Sequence, residues 1–258
     1  MAKIIAIANQ KGGVGKTTTS INLAACLAEM NKRVLLIDMD SQGNTTSGFG
    51  LDKNNIEDTT YEVLTGEVDV EEAIIHLDEF FDGLYLIPAN RNLAGAEIEL
   101  ITQENMQHIL KNTLMPIRDD YDFILLDCPP ALGMLTVNAM TAADAVLVPI
   151  QCEFYALDGL SQLIYTINLI QKNLNPDLHI EGVVFTMFDA RTNLSLQVVE
   201  NVKDNLKYSI YKTIIPRNVR LAEAPSHGLP INLYDKRSSG AEAYHLLAEE
   251  VIENSEME

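Results

Sequence analysis

Apolar residues follow two rhythms along this chain. Short, nearly continuous runs of Ile, Val and Leu alternate with longer stretches in which apolar positions recur every three or four residues. The first rhythm belongs to strands buried on both faces, the second to crossover helices that cover them. Strands are expected at IIAIA (residues 4–8), RVLLID ending at Asp38, LYLIPA near Leu84, FILLD ending at Asp127, AVLVPI near Val146 and IEGVVFTMF near Val184. Helices are expected over residues 17–30, 157–174, 196–206 and 241–253. This alternation predicts an α/β fold of the doubly wound class, a mostly parallel twisted sheet with helices on both faces and ligands beyond the carboxyl ends of its strands. One domain is expected over residues 1–253, followed by a frayed acidic tail, NSEME, at 254–258.

The polar segments that interrupt the pattern carry the chemistry. After the first strand comes KGGVGKTT, residues 11–18. A standard phosphate loop reads G-x-x-x-x-G-K-[ST], and here Gln10 stands where its first glycine belongs. Gly12, Gly13 and Gly15, with Val14 between them, let backbone amides close on phosphate oxygens, and the following helix points its positive end at the same charge. Lys16 is placed to neutralise β and γ oxygens, Thr17 to put a hydroxyl on Mg²⁺, and Thr18 to bond an inner phosphate. The expected ligand is ATP with magnesium. Three carboxylates, Asp38, Asp40 and Asp127, also fall at strand carboxyl ends. A carboxylate buried there is costly without a partner, which favours a functional role.

Charge complicates the choice of partner. Eighteen basic against thirty-seven acidic residues give a net charge of -19, unlike a typical nucleic-acid binder. Between Arg191 and Arg220 the balance reverses, with Lys203, Lys207, Lys212 and Arg217 joining the two arginines against Glu200 and Asp204. Composition is that of a globular protein, at 47% hydrophobic and 21% charged, and no apolar stretch is long enough to span a membrane. No signal peptide is evident, so a cytoplasmic location is expected. Cys26, Cys128 and Cys152 lie in apolar contexts and are expected to be reduced and buried; the five histidines show no ligand-like spacing.

The segment KGGVGKTTT resembles the deviant Walker A motif of the ParA/MinD family of ATPases, and the likeness extends through DMDSQGN, LAGAEIEL, DCPPALG, QCEFYALDGL, TMFDARTNL and IPRNVRLAEAPSHGLPI. These segments look like the Soj-type ParA proteins of chromosome and plasmid partitioning. The resemblance implies that two protomers sandwich two ATP molecules and that Lys11, the signature lysine, reaches the partner's phosphates. It implies that Asp40 orients the attacking water beside the metal and that Asp127 lies in the metal's outer sphere, with Asp38 in support. Asn218 is implied to read adenine, Pro216 and Met187 to pack the ring, and Arg191 and Arg220 to hold double-stranded DNA without regard to sequence. A ParB-type partner, stimulated hydrolysis and a nucleoid-associated location complete the expectation. Family members commonly have proline where this chain has Ser41, which implies a freer loop. A MinD-like cell-division ATPase would need a basic amphipathic C-terminal helix, but this chain ends AEEVIENSEME. An electron donor built around an iron-sulfur cluster would need differently placed cysteines. An ATP-dependent small-molecule synthetase of the same fold is the alternative enzyme.

Overall fold

In the first strand, β1 (Lys3–Ile7), alternate residues serve different cores, Ile5 and Ile7 facing one way and Ile4 and Ala6 the other. The same division runs through β2 (Val34–Asp38) and β5 (Phe123–Asp127), so these strands are apolar at almost every position because both faces are covered. With β3 (Ile75–His76), β4 (Leu84–Ile87), β6 (Ala145–Gln151), β7 (His179–Phe188) and β8 (Ile210–Pro216), they form an eight-stranded sheet ordered β3-β4-β2-β5-β1-β6-β7-β8. Pairing is parallel throughout except between β3 and β4. This computed structural model describes residues 1–153 and 156–257; Phe154 and Tyr155 of QCEFYALDGL, and Glu258 of the tail, lie outside the described residues.

The helices are α1 (Lys16–Glu29), α2 (Asn44–Gly48), α3 (Thr60–Thr65), α4 (Leu93–Glu99), α5 (Ile109–Leu114), α6 (Met134–Ala142), α7 (Ala156–Asn173), α8 (Asn193–Asn205), α9 (Val219–Glu223), α10 (Ile231–Tyr234) and α11 (Ser239–Met257). On the Ile5 face, Leu23 and Leu27 of α1 pack with Ile231 of α10 and Leu247 and Val251 of α11. On the Ile4 face, Leu114, Met140, Leu163, Ile167 and Val202 come from α5, α6, α7 and α8.

Expected strands and long helices are present with small shifts at their ends. β8 was not expected, because its run exposes Lys212 between buried Tyr211 and Thr213, the dilute pattern of an edge strand. Residues 254–257, expected to fray, instead continue α11, where the Ser255 hydroxyl donates back to the carbonyls of Val251 and Ile252. Lys3 and Glu181 meet at 2.8 Å with both side chains buried, joining β1 to β7 at the end of the sheet away from the phosphate loop. Burial pushes the Glu181 carboxyl up, but hydrogen bonds from His179 and Lys3 outweigh it and hold it below the usual value. All three cysteines are free and buried, and burial raises their thiols, Cys26 to about 12 and Cys152 to about 11.

Candidate functional site

Strand order reverses at β1, with β5 on one side and β6 on the other. That is where doubly wound sheets open a crevice. The loop leaving β1 therefore rises beside the ends of β5 and β2, and the register aligns Ile7 with Asp127 and Asp127 with Asp38. Gly15 ends the loop at φ 90°, a left-handed conformation costly for any other residue, and no side chain caps α1 behind it. The amides of that first turn are left to a ligand, at the positive end of a 14-residue helix. Gly12 and Gly13 face open space, with no atom within 4 Å of where a side chain would begin.

Lys16 is only 7% exposed, and its Nζ donates to the carbonyl of Lys11 at 3.1 Å. Desolvation lowers its pKa, opposed by the charges of Asp127, Cys128 and Asp40. A buried ammonium facing an uncapped helix end fits a phosphate, and Thr17, whose hydroxyl sits 2.9 Å from Asp127, fits a phosphate-bound Mg²⁺.

Asp127 is the hub of the site. Its Oδ2 accepts hydroxyls from Thr17 at 2.9 Å and Thr45 at 2.7 Å, and its Oδ1 accepts Ser20 at 2.9 Å. Burial nevertheless raises its pKa, with the three hydroxyls and the charge of Lys16 pulling the other way. Asp38, expected in support, turns to the loop that follows its own strand. The short helix α2 folds back over its strand end, so its carboxylate accepts the N–H and hydroxyl of Thr46 at 2.9 and 2.7 Å and the N–H of Asp40 at 3.2 Å. Burial and the neighbouring charge of Asp127 push Asp38 up. Asp38 is thus a clasp for the loop that carries Asp40.

Asp40 itself is half-buried and near enough to raise the pKa of Lys16. Its Oδ1 accepts the N–H of Gln42, its carbonyl accepts the N–H of Gly43, and Lys53 Nζ donates to the carbonyl of Gln42. Without a proline at 41, hydrogen bonds restrain this turn in place of a ring. Thr45, Thr46 and Ser20 were missed from sequence. Their signal was present: the two threonines follow the QGN motif, and Ser20 lies three residues beyond Thr17 on the same helical face.

A cleft of about 380 Å³ opens beside the loop, lined by Gly15, Thr18, Met187, Pro216 and Asn218 among others, with Tyr244 also on its wall. It brings the expected base-contacting residues together with Thr18. Met187 holds φ 51°, unusual for a non-glycine residue, and the hydroxyl of neighbouring Thr186 bonds the carbonyl of Val14 at 2.7 Å. Asn218 caps α9 by accepting the N–H of Arg220 at 2.8 Å and donates to Ser239 at 2.9 Å.

Lys11 does not lie over its own loop. Its side chain runs along Gly159 of α7, where a Cβ would sit 3.3 Å from Lys11 Cε. Arg191, with its side chain 86% exposed, chelates Asp189 through Nε at 2.8 Å and Nη2 at 2.7 Å. Arg220 pairs with Glu223 at 2.9 Å and Asp235 at 3.4 Å. Both arginines emerge next to the cleft, at adjacent strand ends where Phe188 pairs with Pro216.

Residues 2–180 match the family model described as an AAA domain. The chain is 58% identical over 254 residues to the sporulation initiation inhibitor protein Soj of Bacillus subtilis, covering 98% of this chain and 100% of that one. It is 52% identical to the chromosome partitioning protein ParA of Myxococcus xanthus, covering 98% of this chain and 88% of that one. Among solved structures it is similar to a cobyrinic acid a,c-diamide synthase of Mycobacterium smegmatis with bound ADP and magnesium, at TM-score 0.88 and 38% identity over 99% of this chain and 96% of that one. It is also similar to the septum site-determining protein MinD of Pyrococcus horikoshii complexed with Mg-ADP, at TM-score 0.83 and 26% identity over 100% and 98% of the two chains.

Proposed function

The chain belongs to the Soj and ParA family of chromosome-partitioning ATPases, and from that premise we propose that it works as an ATP-switched dimer that holds DNA and lets go on hydrolysis. The observation that carries the reading is the convergence of Thr17, Ser20 and Thr45 on Asp127, beside a buried Lys16 and an uncapped α1. ATP with Mg²⁺ supplies a phosphoryl group whose transfer to water is favourable and whose charge needs fixed partners. Lys16, already desolvated by the fold, and the amides of residues 12–18, held in the loop and the first turn of α1, bind that charge. Thr17 and Asp127 hold the metal's position, Asp127 acting through its hydroxyl contacts. Asp40, half-exposed on a restrained turn, orients the attacking water.

Lys11, lying against α7, is the cation that crosses to the partner protomer. Met187, Pro216 and Asn218 grip adenine, so nucleotide bridges the phosphate loop and the arginine-bearing turns. Arg191 and Arg220 contact phosphates of double-stranded DNA in a sequence-independent, salt-sensitive way, and dimerisation doubles that grip. A ParB-type partner stimulates hydrolysis, and the protein is cytoplasmic and associated with the nucleoid. Among the described residues no helix is long and apolar enough to cross a membrane, and the last turn of α11 carries no basic residue to dock on an anionic one.

The test is ATP turnover measured with and without nonspecific DNA and a ParB-type protein, alongside sizing of the Asp40→Ala variant under saturating ATP. The proposal expects turnover to rise only with both partners and the variant to remain a DNA-bound dimer. A monomeric Asp40→Ala protein overturns it, as does turnover that instead needs a small carboxylic acid and an amide donor, the behaviour of a synthase.

A further inference from the structure

Beyond α2 the chain turns back over the segment that carries Asp40. The sequence there is GLDKNN, residues 50–55. The Asp52 carboxylate accepts the N–H of Asn54 at 3.1 Å and the side-chain amides of Asn54 and Asn55 at 3.1 and 2.7 Å, and the Asp52 carbonyl accepts the N–H of Asn55 at 2.9 Å. An Asx turn of this kind engages the acid next to Lys53 with asparagine donors. Lys53, half-buried, reaches the other way, and its Nζ donates to the carbonyl of Gln42, eleven residues back.

That bond falls on the peptide group between Gln42 and Gly43, which is thereby held at both ends, its oxygen by Lys53 and its N–H by the Asp40 carbonyl at 2.8 Å. The Gln42 N–H in turn bonds Asp40 Oδ1 at 3.0 Å. The stem of Lys53 packs on the same turn: a Cβ built on Gly43, at φ 59°, would lie 2.9 Å from Lys53 Cδ and 2.6 Å from the Ala89 carbonyl oxygen. Rotating this peptide breaks the bonds to Lys53 and to the Asp40 carbonyl together. Ser41 offers no ring to resist that rotation, whereas an ammonium bonded to a carbonyl is a charge-assisted contact that does. A group that aims a water tolerates little movement, since a displacement of about 1 Å can cost about a hundredfold in rate.

We propose that Lys53 is a positioning residue for ATP hydrolysis: by holding the Gln42 carbonyl and covering Gly43, it fixes the turn from which Asp40 orients the attacking water. This rests on the reading of Asp40 given above and adds the residue that sets its geometry. Lys53 acts through the backbone of the turn, so its effect falls on the rate of the chemical step and not on the hold on nucleotide.

Turnover of the full chain against Mg-ATP concentration tests it, for wild type, Lys53→Met and Lys53→Arg. Methionine keeps an unbranched stem over Gly43 and removes the ammonium, while arginine keeps both a stem and N–H donors. Lys53→Met is expected to lower kcat about tenfold with KM within about twofold, and Lys53→Arg to restore kcat to within about threefold of wild type. Hydrogen exchange with a non-hydrolysable ATP analogue bound supplies a readout besides activity: peptides over residues 39–47 should exchange faster in Lys53→Met and those elsewhere at the wild-type rate. Wild-type kcat in Lys53→Met overturns the assignment. An equal loss in Lys53→Arg does so too, because the donor would not be the cause. So does a rise in KM as large as the loss, or a Lys53→Met protein that stays monomeric with the analogue while wild type dimerises, because Lys53 would then serve nucleotide or partner binding. Asp40→Ala separates the two levels: wild-type turnover by that variant removes the reading of Asp40 and the proposal with it, whereas lost turnover there beside wild-type turnover in Lys53→Met removes the role of Lys53 alone.

Discussion

Replacing Thr45 by valine removes one hydroxyl and leaves the buried shape almost unchanged, because the residue is fully buried and the two side chains have the same outline. The lost bond is the 2.7 Å contact to Asp127 Oδ2, the one that ties the loop after β2 to the end of β5. A hydrogen bond to an ionised acceptor contributes about 1.5–3 kcal/mol, and with Thr17 and Ser20 still bonded the expected loss is about 2 kcal/mol. For a chain of this length that corresponds to a melting temperature about 4–8 °C lower. The deficit depends on pH in a defined direction. Asp127 is already raised by burial, and the Thr45 hydroxyl is the largest of the contacts opposing that rise. Its removal raises the carboxyl further, and since the bond favours only the ionised form, the deficit shrinks as pH falls and grows as pH rises through the folded value. Calorimetry of the nucleotide-free protein across pH measures this, with Thr45→Ser as the control that keeps the hydroxyl. A melting temperature within about 1 °C of wild type refutes the argument. Equal destabilisation by Thr45→Ser does so as well, because methyl packing would then be the cause.

Four further outcomes are expected. Gly43→Ala puts a Cβ 2.6 Å from the Ala89 carbonyl at a position with φ 59°, so beyond the left-handed cost of about 1 kcal/mol the turn carrying Asp40 must move; turnover should fall while equilibrium nucleotide affinity changes little. Lys16→Met removes a buried ammonium, so urea unfolding should show a nucleotide-free protein at least as stable as wild type, while calorimetric titration shows ATP affinity reduced by about a hundredfold. Asn218→Ala loses the α9 cap, about 1 kcal/mol, and competition between ATP and GTP should show weaker preference for adenine. Lys3→Met leaves the buried Glu181 with His179 as its remaining partner and should cost about 3 kcal/mol in chemical denaturation, with turnover per folded molecule unchanged because the pair lies away from the phosphate loop.

Much of this protein is legible without coordinates. Continuous apolar runs mark strands covered on both faces, and glycine, lysine and threonine in fixed order after the first run mark a phosphate site, because both signals arise from local geometry that the sequence carries directly. The edge strand β8 and the short helices α2 to α6 were less visible, since a run diluted by Lys212, or a helix of one or two turns, shows no clear period. Side-chain direction was beyond reach. That Asp38 clasps Thr46 while Asp127 gathers Thr17, Ser20 and Thr45 depends on α2 folding back across the strand ends, which only the packed sheet decides. The same holds for Arg191 and Arg220. Their charge is written in the sequence, but the carboxylates that neutralise them lie outside the basic window, and Asp235 reaches Arg220 from fifteen residues away because α9 and α10 pack together.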